Sequence, residues 1–67
     1  MDNAYWLECK YSGNGERFEG SFNDACSLAW NRCVSDRSRY CVWQIEEGHE
    51  DVKVAEVSLR GVEWRAT

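Results

Sequence analysis

Glu46, Glu47, Glu50 and Asp51 fall within six consecutive residues, Glu46-Glu47-Gly48-His49-Glu50-Asp51, that contain no lysine or arginine. The chain holds 12 acids and 8 bases, so these four carboxylates match its whole formal net charge of −4. Carboxylates gathered without counter-ions attract a positively charged surface, speeding encounter and setting its orientation. At about 3.3 Å of rise per extended residue, their density approaches that of a nucleic-acid strand, roughly one charge per 3.4 Å. Such a stretch suits a groove built for phosphates, and its grip weakens with salt. The plain alternative is that a hairpin tip is charged because it is solvated.

Other chemistry finds less support. His49 is the single histidine and its neighbours are acids, so no Ser-His-Asp arrangement assembles around it. Gly13-Asn14-Gly15 reads as a hairpin turn and not as a phosphate loop. An enzyme is not expected, nor a cofactor. Cys9, Cys26, Cys33 and Cys41 contain no Cys-x-x-Cys pair of the kind that holds zinc. Cys26 and Cys33 stand seven positions apart on one helix, about 10.5 Å, beyond the reach of a disulfide. All four are expected on inward faces as free thiols, with Cys9–Cys26 or Cys33–Cys41 pairing, or a metal site, as alternatives.

A chain of 67 residues is expected to form one domain, near the size at which an apolar core alone offsets folding entropy. Nine aromatic residues, four of them tryptophan, help so small a core close. There is no proline, repeat or low-complexity tract. The opening residues lack a signal peptide's basic start and apolar run, and no apolar segment reaches the roughly 20 residues of a membrane helix. The expectation is a cytoplasmic protein with no membrane partner. A pI near 4.8 argues against direct contact with nucleic acid and for a basic protein partner.

The elements that must position the acidic stretch follow from periodicity. Residues 4–11 alternate, with Tyr5, Leu7, Cys9 and Tyr11 inward and Trp6, Glu8 and Lys10 outward. Ser12 to Gly15 turns the chain, and Arg17 to Phe22 returns antiparallel with Phe18, Gly20 and Phe22 in phase. Ser21-Phe22-Asn23-Asp24 is a capping signal for a helix over about 22–35, with Cys26, Ala29, Trp30 and Cys33 as its apolar stripe and Ala25 and Val34 at the edges. Tyr40 to Glu46 is a third strand, read with Cys41, Trp43 and Ile45 inward and Tyr40, Val42 and Gln44 outward. After the acidic tip, Val52 and Val54 share one phase while Ala55, Val57 and Leu59 take the other, which requires a bulge near 54–56. Gly61 permits a bend before a short last strand around Val62–Arg65. The fold class is α+β, an antiparallel sheet of four or five strands in the order ββαββ with one helix packed on one face.

The aromatic residues divide by phase. Trp30, Trp43 and Trp64 are expected in the core, while Trp6, with Tyr40 outward on the third strand, forms an exposed patch of the kind that anchors protein interfaces. The candidate partner-binding residues are therefore Glu46, Glu47, Glu50, Asp51, Trp6 and Tyr40.

In its shortness, acidity, lack of proline and order of hairpin, helix and further strands, the chain resembles the small anti-CRISPR proteins encoded by phages and mobile elements. That likeness lies in size, charge and topology. It implies a cytoplasmic inhibitor in a bacterial host that binds a type I CRISPR effector subunit and blocks target DNA, in part by charge mimicry. Glu46, Glu47, Glu50 and Asp51 would then face lysines and arginines of a DNA-binding channel. The alternative is a small cysteine-based metal-binding or redox-sensing domain. A monomer is favoured.

Overall fold

The computed structural model describes residues 3–66. Five strands and one helix follow one another as β1 (Asn3–Cys9), β2 (Gly15–Gly20), α1 (Phe22–Asp36), β3 (Tyr40–Ile45), β4 (Val52–Ser58) and β5 (Gly61–Arg65). The strands form a single antiparallel sheet in the order β2-β1-β3-β4-β5, and the expected α+β architecture is what the chain adopts. Because β2 and β3 both pair with β1, the helix between them crosses over β1, which places it on one face of the sheet.

The helix starts where the capping signal puts it. Ser21 has extended backbone angles, and its hydroxyl accepts from the Asp24 amide at 3.1 Å. Its buried side carries Ala25, Cys26, Ala29 and Cys33, all small, so the helix lies close to the sheet. Beneath it Leu7, Val42, Ala55 and Val57 are fully buried, with Tyr5, Cys9 and Tyr40 nearly so. Each Leu or Val so buried contributes roughly 1.5–3 kcal/mol. At the other end the chain leaves the helix through Arg37 in the left-handed region (φ 53, ψ 46), and the Ser38 amide donates back to the Cys33 carbonyl at 3.2 Å. This is the geometry in which glycine normally stands.

Several expected orientations are corrected. On β3 the phase is inverted: Tyr40 and Val42 face the helix at 7% and 0% exposure, and Cys41, Trp43 and Ile45 face the opposite side. The reason is cross-strand pairing. Trp6 stands opposite Trp43 and Leu7 opposite Val42, and partners in an antiparallel pair share a face. Tyr11 lies past the end of β1 and is 71% exposed. Phe22 opens the helix and does not continue β2. Neither Trp30 nor Trp64 is core: both are exposed, and the buried stripe of α1 turns toward Ala25 and away from Trp30 and Val34.

The bulge on β4 is present. Val42 pairs with Ala55 and Trp43 with Lys53, so Val54 is the extra residue. A second irregularity pairs Glu56 with Trp64 and Val57 with Val62, leaving Glu63 over on β5. Among the described residues no helix is long and apolar enough to cross a membrane.

Candidate functional site

The acidic stretch is the connection between β3 and β4, two neighbouring strands, and forms the tip of their hairpin. The His49 amide donates to the Glu46 carbonyl at 3.0 Å, closing a turn with Glu47 and Gly48 at its apex. Gly48 has φ 81, the positive value required at the third position of a type II turn. Glu50 and Asp51 then lead the chain into β4. Every residue from Glu46 to Asp51 is exposed.

What distinguishes these carboxylates is the company they lack. Among the described residues, Glu16 pairs with Arg32, Glu19 with Arg17, Glu63 with Arg39, and Glu56 with Lys10, Arg39 and Lys53. No ion pair in that set includes Glu46, Glu47, Glu50 or Asp51. Along the strands Glu16, Glu19, Glu56 and Glu63 are neutralised and Glu8 is not, whereas none of the four carboxylates at the tip is. Bases gather at the opposite end of β3, where Arg37, Arg39 and Arg60 line one recess with Tyr11 and Glu63.

Trp6 is 37% exposed on the face away from the helix, as expected of an outward residue. Its indole lies over the backbone of Gly15 on β2, where a Cβ would come within 2.5 Å of Trp6 Nε1. Tyr40 does not join it. The Tyr40 hydroxyl donates to Asp36 Oδ2, and this bond, with burial, pushes the phenol up to about 12. Tyr40 therefore ties β3 to the end of α1 and offers no surface aromatic; its expected partner-binding role rested on the inverted phase.

Trp43 occupies the place beside Trp6 that Tyr40 was expected to fill. Ile45 pairs with Ala4 on the same face, and Trp64 stands opposite Glu56 with Lys53 Nζ 5.4 Å from its ring centre. Pairing the outward Trp6 with the third strand would have found this set, since two of its members sit on alternate residues of that strand.

All four cysteines are free and buried. Cys9 Sγ donates to Ser38 Oγ at 3.4 Å, and Cys33 Sγ donates to the Ser38 carbonyl at 2.7 Å. Cys41 is on the opposite face of the sheet, paired with Glu8 and Glu56, which corrects its expected place beneath the helix. When Cys9 is ionised the Ser12 and Ser38 hydroxyls can turn to donate to its sulfur, which brings the thiol down to about 7, whereas burial pushes Cys26, Cys33 and Cys41 up. Among the described residues no three His, Cys, Asp or Glu side chains gather in a way that could hold a metal ion. Comparison with protein-family models, curated proteins and solved structures finds no match for this chain.

Proposed function

We propose that the protein is a stoichiometric inhibitor that docks its acidic hairpin tip on a basic nucleic-acid-binding protein. The most concrete target is an effector subunit of a type I CRISPR complex, in the manner of the small anti-CRISPR proteins, with Glu46, Glu47, Glu50 and Asp51 taking positions otherwise held by DNA phosphates. One observation carries this reading: the four carboxylates are gathered on one exposed tip and have no cationic partner among the described residues, while four of the five acids on the strands do, Glu8 being the exception. Unpaired surface carboxylates pay no cost to break internal bridges before engaging a cationic groove, and they act at a distance set by the Debye length. The Glu46–His49 turn holds two of them on a defined backbone.

Affinity capture from cells carrying candidate type I complexes, repeated at rising salt, tests the reading. Recovery of a DNA-binding subunit that is lost at high salt, and displaced by its target DNA, is the expected result. The combined variant Glu46→Gln, Glu47→Gln, Glu50→Gln, Asp51→Asn should lose the subunit while keeping its circular dichroism. Undiminished binding by that folded variant overturns the proposal.

A further inference from the structure

Of the eight basic side chains, Lys10, Arg17, Arg32, Arg39 and Lys53 hold a carboxylate, and Arg65 lies against the Phe22 ring. The two that remain, Arg37 and Arg60, have no acidic partner among the described residues, and both line the recess of about 310 Å³ at the far end of β3 from the acidic tip. Three segments build it: the α1–β3 connection brings Arg37, Ser38 and Arg39, the end of β4 and its turn bring Ser58 and Arg60, and β5 brings Glu63. Ser38 and Ser58 are the buried polar residues among those described, at 8% and 6% exposure, so both hydroxyls the fold buries stand beside these guanidiniums.

We infer that this recess binds a phosphate monoester carried on a flat ring. The inference goes beyond the inhibitor reading and does not depend on it, since the acidic tip takes no part.

Charge sets the kind of anion. Three guanidiniums against one carboxylate give the lining a surplus of two positive charges, in a chain whose net charge is −4. Lys10, Lys53 and Glu56, which complete the network around Arg39, add two bases and one acid, so the surplus does not shrink when they are counted. Glu63 is already engaged by Arg39 at 2.7 Å, and bonds from Ser58 and Arg39 hold it below the ordinary carboxylate range. Asp36, next in sequence to Arg37, is taken by the Tyr40 hydroxyl and lines a different recess. A phosphate monoester carries about −1.5 to −2 near neutral pH, which matches the surplus, whereas a carboxylate or a phosphodiester carries a single charge. Guanidinium forks also take phosphate oxygens two at a time.

The end of α1 does not account for these bases. A helix terminus carries only about half a unit of negative charge, less than one guanidinium supplies, and its Cys33 carbonyl already accepts from the Ser38 amide at 3.2 Å. Arg37 moreover stands at φ 53, so the chain keeps a guanidinium where its backbone favours no side chain.

The rim selects what carries the phosphate. Tyr11 and Leu59 also line the recess and are 71% and 53% exposed. A flat ring stacks on a tyrosine face and covers an apolar neighbour as it does so. The volume lies at the low end of small-molecule sites, about 300–1,000 Å³, which suits a phosphate with one ring system.

Adenosine monophosphate, phenyl phosphate and inorganic phosphate, each titrated into the isolated chain at low salt and followed by proton–nitrogen NMR, test the inference without any partner protein. Saturable shifts are expected at the amides of Arg37, Ser38 and Arg60, with those of Gly48 and Arg17 unmoved, and the esters should bind several-fold tighter than inorganic phosphate. The tighter of the two esters names the source, a nucleotide or a phosphorylated tyrosine. Arg37→Gly, which the backbone accommodates, and Arg60→Gln should each weaken that ester roughly tenfold, while Arg17→Gln leaves it unchanged. Cyclic adenosine monophosphate has the same ring and one charge fewer, and should bind several-fold more weakly; this comparison decides even where a variant fails to fold. Shifts spread equally over Arg17 and Arg65 mean an adventitious ion only, and overturn the inference. Shifts that never saturate, a cyclic ester that binds as well as the open one, or inorganic phosphate as tight as either ester overturn it too.

Discussion

Arg39 Nη1 lies 2.8 Å from Glu56 Oε2, tying the residue just before β3 to β4. The same guanidinium nitrogen reaches Glu63 Oε2 at 2.7 Å, and Lys53 holds the other Glu56 oxygen at 2.7 Å, so one largely buried carboxylate organises three strands. Lys53, then Arg39 and Lys10, pull the Glu56 carboxyl from 4.5 down to about 2.

The folded state therefore keeps Glu56 ionised where the unfolded chain would protonate it. Its contribution is complete above pH 4.5 and drains away as pH falls toward 2. Glu56→Gln should lower stability by about 1–3 kcal/mol at neutral pH and flatten the acid limb between those values. Urea unfolding at neutral pH, near 4.5 and near 2 measures both effects.

The orientation of β3 gives a sharp contrast between adjacent rows. Val42 is fully buried under the helix, so Val42→Ala should cost about 2 kcal/mol and Val42→Asp should prevent folding. Ile45 lies half-buried on the face away from the helix, and Ile45→Thr should cost less than about 1 kcal/mol. Denaturation midpoints measured at low protein concentration separate the two.

Gly15 is required by a neighbour and not by its own backbone. A methyl group there would meet the Trp6 indole at 2.5 Å. Because Trp6 is partly exposed, Gly15→Ala should displace the ring and not unfold the chain, at a cost of about 1 kcal/mol. A change in tryptophan emission that is absent when Trp6 is already Phe identifies the cause.

Arg37 is the inverse case, a side chain standing where the backbone favours none. Left-handed geometry costs a non-glycine residue roughly 1–2 kcal/mol, offset in part by the greater freedom of an unfolded glycine. Arg37→Gly should therefore stabilise the fold by about 0.5–1 kcal/mol, read as a rise in thermal midpoint.

Much of the fold was legible because local rules and burial agreed. Ser21 and Asp24 marked the helix start, Ser12 to Gly15 the first turn, and the phase break between Val54 and Ala55 the bulge. The third strand was misread because both of its alternating sets are apolar, and Gln44 made the Tyr40 set look polar. Gln44 sits near the strand's end, half-buried, where a polar side chain can reach solvent. Only pairing with β1 distinguishes the two sets, and pairing is a long-range fact. The same limit hid Trp43 as the neighbour of Trp6 and made Tyr40 look like a surface residue. The acidic tip needed no such information, since a charged run between two strands has one place to go.

Val54 governs more than its own position. By adding one residue to β4 it lets Ala55 and Val57 point beneath the helix while Glu56 points out toward Lys53 and Arg39. Removing it would reverse every side chain on one side of the kink, driving the Glu56 carboxylate into the core and Ala55 and Val57 out of it. Length in this strand is thus quantised, with changes admissible in twos, whereas the loop just before it is free to lengthen or shorten one residue at a time. Diversification of the tip can proceed without disturbing the scaffold that carries it.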